Sequence, residues 1–249
     1  MWTHQLMAAA TTVESAIRVE GVQKAFGRTP VLRGVDLIVP WGQVLTLLGA
    51  NGSGKTTLIK ILATLTRADT GRVVIGGMDT SSRGPGARRL LGVVTHDPLL
   101  YDDLTGRENM RFFAKMFGLG DIDGRVASVT ERMGMTDRLD QKVGALSHGM
   151  KKRFSIARAL LHDPVVLLMD EPESGLDQAA LSLLDAVVSD QGATLRSVLM
   201  TTHNLERGLA LGQSLAILAN GRIAYHQSLE DVGADAIREA YAKHTGTSA

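Results

Sequence analysis

The sequence contains no cysteine among its 249 residues, and only 4% of them are aromatic. The absence of cysteine excludes disulfide bonds, thiolate metal sites and cysteine nucleophiles, and it is usual in a reducing compartment. No apolar run approaches the ~18 residues that a membrane-spanning helix requires. The net charge is only +1, so the composition does not call for nucleic acid as a partner, and we expect none.

Two further absences concern metals and targeting. The seven histidines include no pair at i,i+4 spacing, so we do not expect a metal site built from protein ligands alone. The N-terminal segment "MWTHQLMAAATTVES" has an apolar patch but no Lys or Arg before it, unlike a secretory signal. We therefore predict a loose leader over residues 1–15 and a single domain over residues 16–249.

Strand-like and helix-like segments alternate along most of the chain. Two apolar runs, "VVLLMD" ending at Asp170 and "RSVLMTTH" ending at His203, are typical of strands buried on both faces. Between residues 97 and 162 the apolar spacing is mostly helical, with predicted breaks at "GLGDIDG" (residues 118–124) and "ALSHG" (residues 145–149). The pattern predicts an α/β core of about residues 16–96 and 163–230, with a helical subdomain at about residues 97–162.

A phosphate-binding loop is predicted between a strand and a helix. The segment "GANGSGKT" (residues 49–56) fits the pattern G-x-x-x-x-G-K-[ST], and its position after a strand is the context that the motif requires. Backbone N–H groups and the helix N-terminus would bind phosphate oxygens. We expect Lys55 to reach the β- and γ-phosphates of ATP and Thr56 to ligate Mg²⁺. The predicted nucleotide-binding residues of this loop are Gly49, Ala50, Asn51, Gly52, Ser53, Gly54, Lys55, Thr56 and Thr57.

Carboxylates and a histidine follow the two buried strands. Because the C-terminal ends of parallel strands meet at one edge of a sheet, we expect them beside the phosphates. Asp170 is predicted to hold Mg²⁺ through water, and Glu171 to polarise the water that attacks the γ-phosphate. His203 is predicted to contact the γ-phosphate. Phe26 is a candidate for stacking on the base, although an ordinary core aromatic is equally consistent with the pattern.

A second anion-binding helix start is predicted at "LSHGMKKR", residues 146–153. Ser147 and Gly149 would cap the following helix and leave N–H groups exposed. The three cations, Lys151 to Arg153, are interpreted mainly as a solvated helix face. A second cap so far from the first makes sense if two chains meet head to tail and each closes the other's P-loop.

Together these residues resemble the nucleotide-binding subunits of ABC transporters. The matching motifs are "GANGSGKTT" (Walker A), "VVLLMDE" (Walker B and catalytic glutamate), "LSHGM" (signature), "SGLD" ending at Asp177 (D-loop), His203 (switch histidine) and Phe26 (A-loop aromatic). The resemblance implies a P-loop NTPase with a RecA-like core, an antiparallel β lobe and a helical signature subdomain. It also implies two Mg·ATP sites shared across a dimer, with Asp177 among the binding residues.

Two positions depart from the family pattern. His148 stands where the signature usually has glycine, and His96 stands where the Q-loop usually has glutamine. We expect His96 to bind Mg²⁺ or a phosphate oxygen through water and to act in catalysis. The stretch that follows it is where related transporters dock their membrane subunit, so Leu100, Tyr101 and Leu104 are predicted to line that groove. Alternatively, these three residues only pack the helical subdomain.

The segments "LGVVTHDPLLYDDLTGRENMRFFAKMFGL" and "LSHGMKKRFSIARALLHDPVVLLMDEPESGLDQAAL" are similar to the ATPase subunit of the haem exporter of cytochrome c maturation. Glu173 and Ser174 depart from the Phe-Thr often found there. The resemblance implies an ATPase with integral membrane transporter subunits as partners, at the cytoplasmic face of the membrane. An exporter of another cargo, such as a drug or polysaccharide, and a soluble ATPase of the iron–sulfur assembly type are the alternatives.

Overall fold

The computed structural model describes residues 15–190 and 196–246. The predicted leader therefore lies outside the described residues except for Ser15. In the described part of the chain, no helix is both long and apolar enough to cross a bilayer.

The strands and helices alternate as the apolar patterns predict. The strands, in chain order, are β1 (Ile17–Phe26), β2 (Thr29–Val39), β3 (Val44–Leu48), β4 (Thr70–Ile75), β5 (Met78–Asp79), β6 (Leu91–Val94), β7 (Val166–Asp170), β8 (Ser197–Thr201), β9 (Ser214–Ala219) and β10 (Arg222–Ser228). The α-helices are α1 (Lys55–Leu62), α2 (Gly84–Leu90), α3 (Gly106–Met116), α4 (Ile122–Arg132), α5 (His148–Leu160), α6 (Gln178–Ser189), α7 (Leu205–Leu211) and α8 (Ala234–Thr245).

The strands form two sheets of different kinds. The larger has the order β10-β9-β3-β8-β7-β6, and its neighbours pair in parallel except at the β9–β10 hairpin. The smaller sheet, β2-β1-β4-β5, is antiparallel throughout. The hairpin turns on Asn220 and Gly221, both at positive φ, as that dipeptide predicts.

Alternation along the parallel strands divides the core into two layers. On β7, Val166 and Leu168 face the cluster shared with α1 and the antiparallel sheet. Leu167 and Met169 face the cluster shared with α3, α4 and α5. Because successive side chains of a strand point to opposite faces, both faces of β7 must be apolar. This explains the continuous apolar run in the sequence, and it fixes the C-terminal ends of β3, β7 and β8 at one edge.

Two element boundaries differ from the predictions. Strand β8 ends at Thr201, so His203 lies two residues beyond the strand rather than at its end. Helix α4 already begins at Ile122, inside the segment 118–124 that was predicted to be a break, because the Asp121 side chain caps it by accepting a hydrogen bond from Gly124 N.

Candidate nucleotide-binding site

The P-loop is a tight turn between β3 and α1. Gly54 is the N-cap of α1 and has φ +108°, and a Cβ there would lie 2.8 Å from Leu32 Cδ2. A Cβ on Gly49 would lie 2.5 Å from the Leu218 carbonyl oxygen. Both positions therefore require glycine, one for its backbone conformation and both for close approach.

Lys55 closes this loop from inside. Its side chain is 4% exposed, and its Nζ donates hydrogen bonds to the carbonyl oxygens of Gly49 at 2.8 Å and Ala50 at 3.3 Å. The Ser53 hydroxyl is buried and has no partner among the described residues. Buried hydroxyls normally have a hydrogen-bond partner, so an anion bound in the loop would supply the partner that the Ser53 hydroxyl lacks.

A cavity of about 340 Å³ opens beside the loop. Its lining consists of Phe26, Val31, Asn51, Gly52, Gly54, Lys55, Thr56, Thr57 and Glu171. Phe26 is 55% exposed at this cavity, which excludes the alternative of a core aromatic. The Lys24 ammonium lies 5.6 Å from the centre of the Phe26 ring. The cavity thus combines backbone donors, a cation and an aromatic face, which suits the phosphates and base of ATP.

Three side chains from separate elements meet at the edge of this cavity. Glu171 Oε1 lies 3.8 Å from Lys55 Nζ, and Glu171 Oε2 lies 3.5 Å from His203 Nδ1. The sequence predicted that these three residues would gather at the sheet edge, and the structure brings them together. They approach because β3, β7 and β8 are neighbours in one parallel sheet.

Asp170 and Glu171 are both held by the hydroxyl of Thr201, whose role the sequence motifs do not predict. Thr201 Oγ1 donates to Asp170 Oδ1 at 2.8 Å and accepts a hydrogen bond from the Glu171 backbone N–H at 3.0 Å. Asp170 is 2% exposed, whereas Glu171 is partly open to the cavity. Glu171 has φ +43°, an uncommon conformation for a non-glycine residue. The strand end therefore fixes a buried carboxylate and turns the next one outward.

A second connection at this edge was also missed from the sequence. The Thr202 hydroxyl donates to Glu173 Oε1 and accepts a hydrogen bond from Asn204 N at 3.0 Å. This contact ties the segment after β7 to the segment that carries His203. The threonine pair that follows the apolar residues of β8 was the available signal, since hydroxyls at a strand end can bridge adjacent loops.

The predicted second cap forms as expected but lies apart from the P-loop. Ser147 is the N-cap of α5, and its hydroxyl accepts a hydrogen bond from Met150 N at 3.3 Å. Asp177 caps α6 in the same way through Ala180 N at 2.8 Å. The lining of the P-loop cavity includes neither of these residues, nor Gly149 or His96. Ser147, Gly149 and Asp177 therefore do not line the cavity that holds Lys55 of the same chain, and any role of His96 there must act through water.

The basic run after the cap differs from its predicted role at one position. Lys152 is 2% exposed, so it is not part of a solvated face. Its Nζ donates to the Thr95 carbonyl oxygen at 3.2 Å. Burial lowers the pKa of Lys152, while the charges of Asp170, Glu173 and Glu171 raise it and so oppose that effect. The sequence does not predict this burial, because a run of three cations is typical of an exposed helix face and the packing of α5 on the sheet is not visible in it.

An exposed apolar surface lies on the helical side, on α3 and the segment before it. Tyr101 is 51% exposed, Phe112 38% and Met116 67%, and the rings of Tyr101 and Phe112 meet edge to face at 5.2 Å. Of the predicted groove residues only Tyr101 is exposed, since Leu100 packs against the core and Leu104 is half-buried. Phe112 and Met116 were missed, although their i,i+4 spacing puts them on one face of α3.

Comparisons with known proteins agree with these motifs. A family model described as "ABC transporter" matches residues 32–174. The chain is 32% identical over 204 residues to ABC transporter ATP-binding protein NatA of Bacillus subtilis, covering 81% of this chain and 83% of that protein. It is 36% identical over 252 residues to Nod factor export ATP-binding protein I of Burkholderia orbicola, covering 93% and 83%.

Solved structures extend the likeness to the whole fold. The "Structure of ATP binding subunit of ABC transporter" superposes with a TM-score of 0.82 at 29% identity, covering 94% of this chain and 96% of that one. The ATP-binding cassette MJ0796, bound to ADP and Pi as a dimer, superposes with a TM-score of 0.79 at 23% identity, covering 86% and 98%, and supports the fold alone. With its P-loop, strand-end carboxylates and signature cap, the chain belongs to the ABC transporter family, as its ATP-binding and ATP-hydrolysing subunit.

Proposed function

We propose that this chain hydrolyses Mg·ATP in a head-to-tail dimer of two copies and thereby drives a membrane exporter. The observation that carries this proposal is the meeting of Lys55, Glu171 and His203 beside a P-loop whose own chain supplies no signature cap. The core of residues 16–96 and 163–230 would then hold ATP, while the subdomain of residues 97–162 carries the signature and faces the partners.

The chemistry follows from the strand-end geometry. Lys55 would exchange the carbonyl oxygens of Gly49 and Ala50 for the β- and γ-phosphates, a charge-assisted contact. Glu171 would accept a proton from a water molecule while the oxygen of that water forms a bond to the γ-phosphorus. At the same time the bond between the γ-phosphorus and the bridging oxygen breaks, and ADP leaves. His203, whose Nδ1 lies 3.5 Å from Glu171 Oε2, would donate a hydrogen bond to the γ-phosphate. The partly open Glu171 is suited to this task, because the water must reach it.

The residues present fit a magnesium ion. The Thr56 hydroxyl lines the cavity, and Asp170 is a buried carboxylate with one oxygen bonded to Thr201 Oγ1. Thr56, with Asp170 and His96 acting through water, would hold Mg²⁺, which neutralises charge on the phosphates. Phe26 would stack on the base, and the remaining P-loop residues from Gly49 to Thr57 would surround the phosphates.

The second half of each site would come from the other copy. Ser147 and Gly149 at the start of α5, together with Asp177 at the start of α6, would face the γ-phosphate held by the partner's P-loop. The exposure of the Ser147 cap supports this arrangement, since it leaves the cap free to meet a second chain.

A mixing experiment tests this dimer. A Ser147→Arg chain and a Lys55→Ala chain are each expected to be inactive alone. In a head-to-tail dimer of one copy of each, one site carries both lesions and the other carries neither, so ATPase activity should return on mixing. If Ser147 served its own chain's ATP, mixing would restore nothing. A chain carrying both substitutions, mixed with wild type, is the matched control.

Integral membrane transporter subunits are the proposed partners, bound at the cytoplasmic face of the membrane. The exposed surface of Tyr101, Phe112 and Met116 is the proposed docking site, because an exposed cluster of aromatic and thioether side chains is typical of interface anchors. Cell fractionation tests this placement. Recovery in the soluble fraction, unchanged when candidate membrane subunits are co-expressed, would favour a soluble ATPase of the iron–sulfur assembly type.

For the cargo we propose two candidates. Haem, or its release to a chaperone in cytochrome c biogenesis, rests on the sequence resemblance around His96 and the signature. Another exported cargo is favoured by the relatives, whose names include Nod factor export and linearmycin resistance. Deletion of the gene in a strain without a paralogue separates them. Loss of mature c-type cytochromes supports haem, while normal cytochromes with lost export or tolerance of a drug or polysaccharide support the second candidate.

A further inference from the structure

His148 is in contact with the loop between β7 and α6. Gly175 in that loop has φ +76°, and a Cβ built on it would lie 2.5 Å from His148 Cδ2 and 3.2 Å from Nε2. A Cβ on Gly149 would lie 2.7 Å from the Gly175 carbonyl oxygen, so the two backbones also approach closely. The imidazole therefore fills the space that a side chain at position 175 would need.

The first turn of α5 also contacts the segment after β6. The ring centroids of His148 and His96 are 6.5 Å apart, with the planes tilted by 48°. One turn further along, buried Lys152 donates to the carbonyl oxygen of Thr95, the residue next to His96. The same lysine is attracted by the carboxylates of Asp170, Glu173 and Glu171, although burial opposes its charge. Helix α5 thus starts between two loops that leave the sheet edge where ATP would bind.

We propose that His148 is a positioning residue that links the ATP site of its own chain to the signature cap of that chain. The inference rests on the proposed head-to-tail dimer, in which the cap serves the partner's ATP. A movement of Gly175 or His96 during hydrolysis would displace the imidazole of His148. Because His148 is the first residue of α5, this displacement would shift the turn that Ser147 caps. Without the ring at position 148, the cap would no longer follow the two loops, and the loops would lose the contact that positions them beside the ATP of their own chain.

Mixed dimers with a single intact P-loop test the inference directly. One arrangement pairs a His148→Ala chain with a Lys55→Ala chain, so that the intact P-loop and the altered position 148 belong to the same chain. Relative to dimers of wild type with Lys55→Ala, kcat should fall at least fivefold while KM for ATP changes less than twofold. A kcat equal to the reference would overturn the inference, because His148 would then act only on the ATP that its own cap faces.

The reverse arrangement and a second substitution supply the controls. In the reverse arrangement, one chain carries both His148→Ala and Lys55→Ala and its partner is wild type. The activity of this dimer measures the effect of His148 on the ATP bound to the partner's P-loop. Ser147→Arg in the same two arrangements should inhibit only when it faces the intact P-loop. Inhibition in both or in neither would overturn the head-to-tail dimer itself, a result distinct from an unaffected His148→Ala dimer.

A double-mutant cycle tests the contact even if dimers with one site do not turn over. Gly175→Ala places a methyl group against the His148 ring and also strains a backbone at positive φ. The strain is the same in any background, but the collision requires the ring. The loss in kcat from Gly175→Ala should therefore be at least fivefold smaller in His148→Ala than in wild type. Equal losses would show that the ring does not position Gly175, and the inference would fail.

Discussion

Around the P-loop, Lys55, Glu171 and His203 approach one another within a single chain, and Lys55 is almost fully buried. At the start of α5, the Ser147 hydroxyl is exposed and accepts a hydrogen bond from its own helix. The first region gathers oppositely charged side chains from separate elements of one chain, whereas the second is an exposed helix start. The difference supports the proposal that one chain supplies the P-loop side of each ATP site and that the cap at Ser147 serves a second copy.

Glu171→Gln, in the region around the P-loop, should cause the largest loss of ATP hydrolysis. The amide keeps the shape of the side chain but cannot accept a proton from water, and loss of a general base typically lowers the rate by ~10²–10⁴. We expect ATP to bind and hold the two copies together with little turnover, measured by phosphate release and by gel filtration with ATP. Glu131→Gln, on the exposed face of α4, is the control and should turn over normally. Normal turnover of Glu171→Gln would assign the base elsewhere.

Lys55→Ala should weaken ATP binding in the same region around the P-loop. The substitution removes a charge-assisted contact to the phosphates and also the two hydrogen bonds that close the loop. With hydrogen bonds to charged groups contributing about 1.5–3 kcal/mol, we expect ATP affinity to fall on the order of 100-fold. Calorimetry measures this, with Lys60→Ala on the exposed side of α1 as the control. Unchanged affinity in a folded Lys55→Ala protein would contradict the P-loop assignment.

The two regions also differ in how far the sequence predicted them. The P-loop, the strand-end carboxylates and the parallel sheet follow from local patterns, because a glycine-rich turn after a strand and a continuous apolar run each have few structural explanations. The neighbouring hydroxyls of Thr201 and Thr202 could not be assigned in the same way. Their partners, Asp170, Glu171 and Glu173, lie about 30 positions away in sequence, and only the pairing of β7 with β8 brings them together.

On the helical side, the capping residue was predictable but its surroundings were not. Ser147 follows from the preference for serine at N-caps. The burial of Lys152 does not follow from the sequence, because it depends on how α5 packs over β6 and β7. Phe112 and Met116 were missed because an amphipathic helix shows which residues share a face, but not whether that face is covered. The family relationship has the same limit, since it identifies the ATPase but not the partner.

Tyr101→Ala tests the helical half alone. The ring packs on Phe112 and Phe113 at the surface and lies apart from the P-loop cavity, so basal ATPase activity should persist. If this surface docks the membrane subunits, removing an aromatic anchor should cost about 2 kcal/mol, roughly 30-fold in affinity. Co-purification with the membrane subunits from detergent measures the loss. Leu65→Ala, an exposed apolar residue on the core side, is the matched control, and equal co-purification of both variants would exclude Tyr101 from the docking surface.

The smallest expected effect concerns the junction between the two regions. His162 lies after α5, stacks on Phe117 at 3.9 Å between ring centroids, and through Nε2 hydrogen bonds to the carbonyl oxygen of Leu91 on β6. Its Nδ1 is buried and has no hydrogen-bond partner in the described residues. The pKa of His162 is lowered to about 4, mainly by burial and also by the nearby charge of Arg158, while the hydrogen bond to Leu91 opposes the shift.

Because the pKa of His162 is lower in the folded chain than the usual 6.5 or so, the unfolded chain takes up the proton first as the pH falls. The stabilisation is therefore complete above about pH 6.5 and is lost progressively toward pH 4. Between pH 7 and pH 5.5 the unfolding free energy should drop by about 1 kcal/mol from this group. His162→Phe keeps a stacking partner for Phe117 but cannot titrate, so its denaturation midpoint should fall less over that range. His226, whose pKa burial also lowers, is present in both proteins and cancels in the comparison. Parallel pH profiles for the two proteins would show that the junction between sheet and helices does not depend on a neutral imidazole.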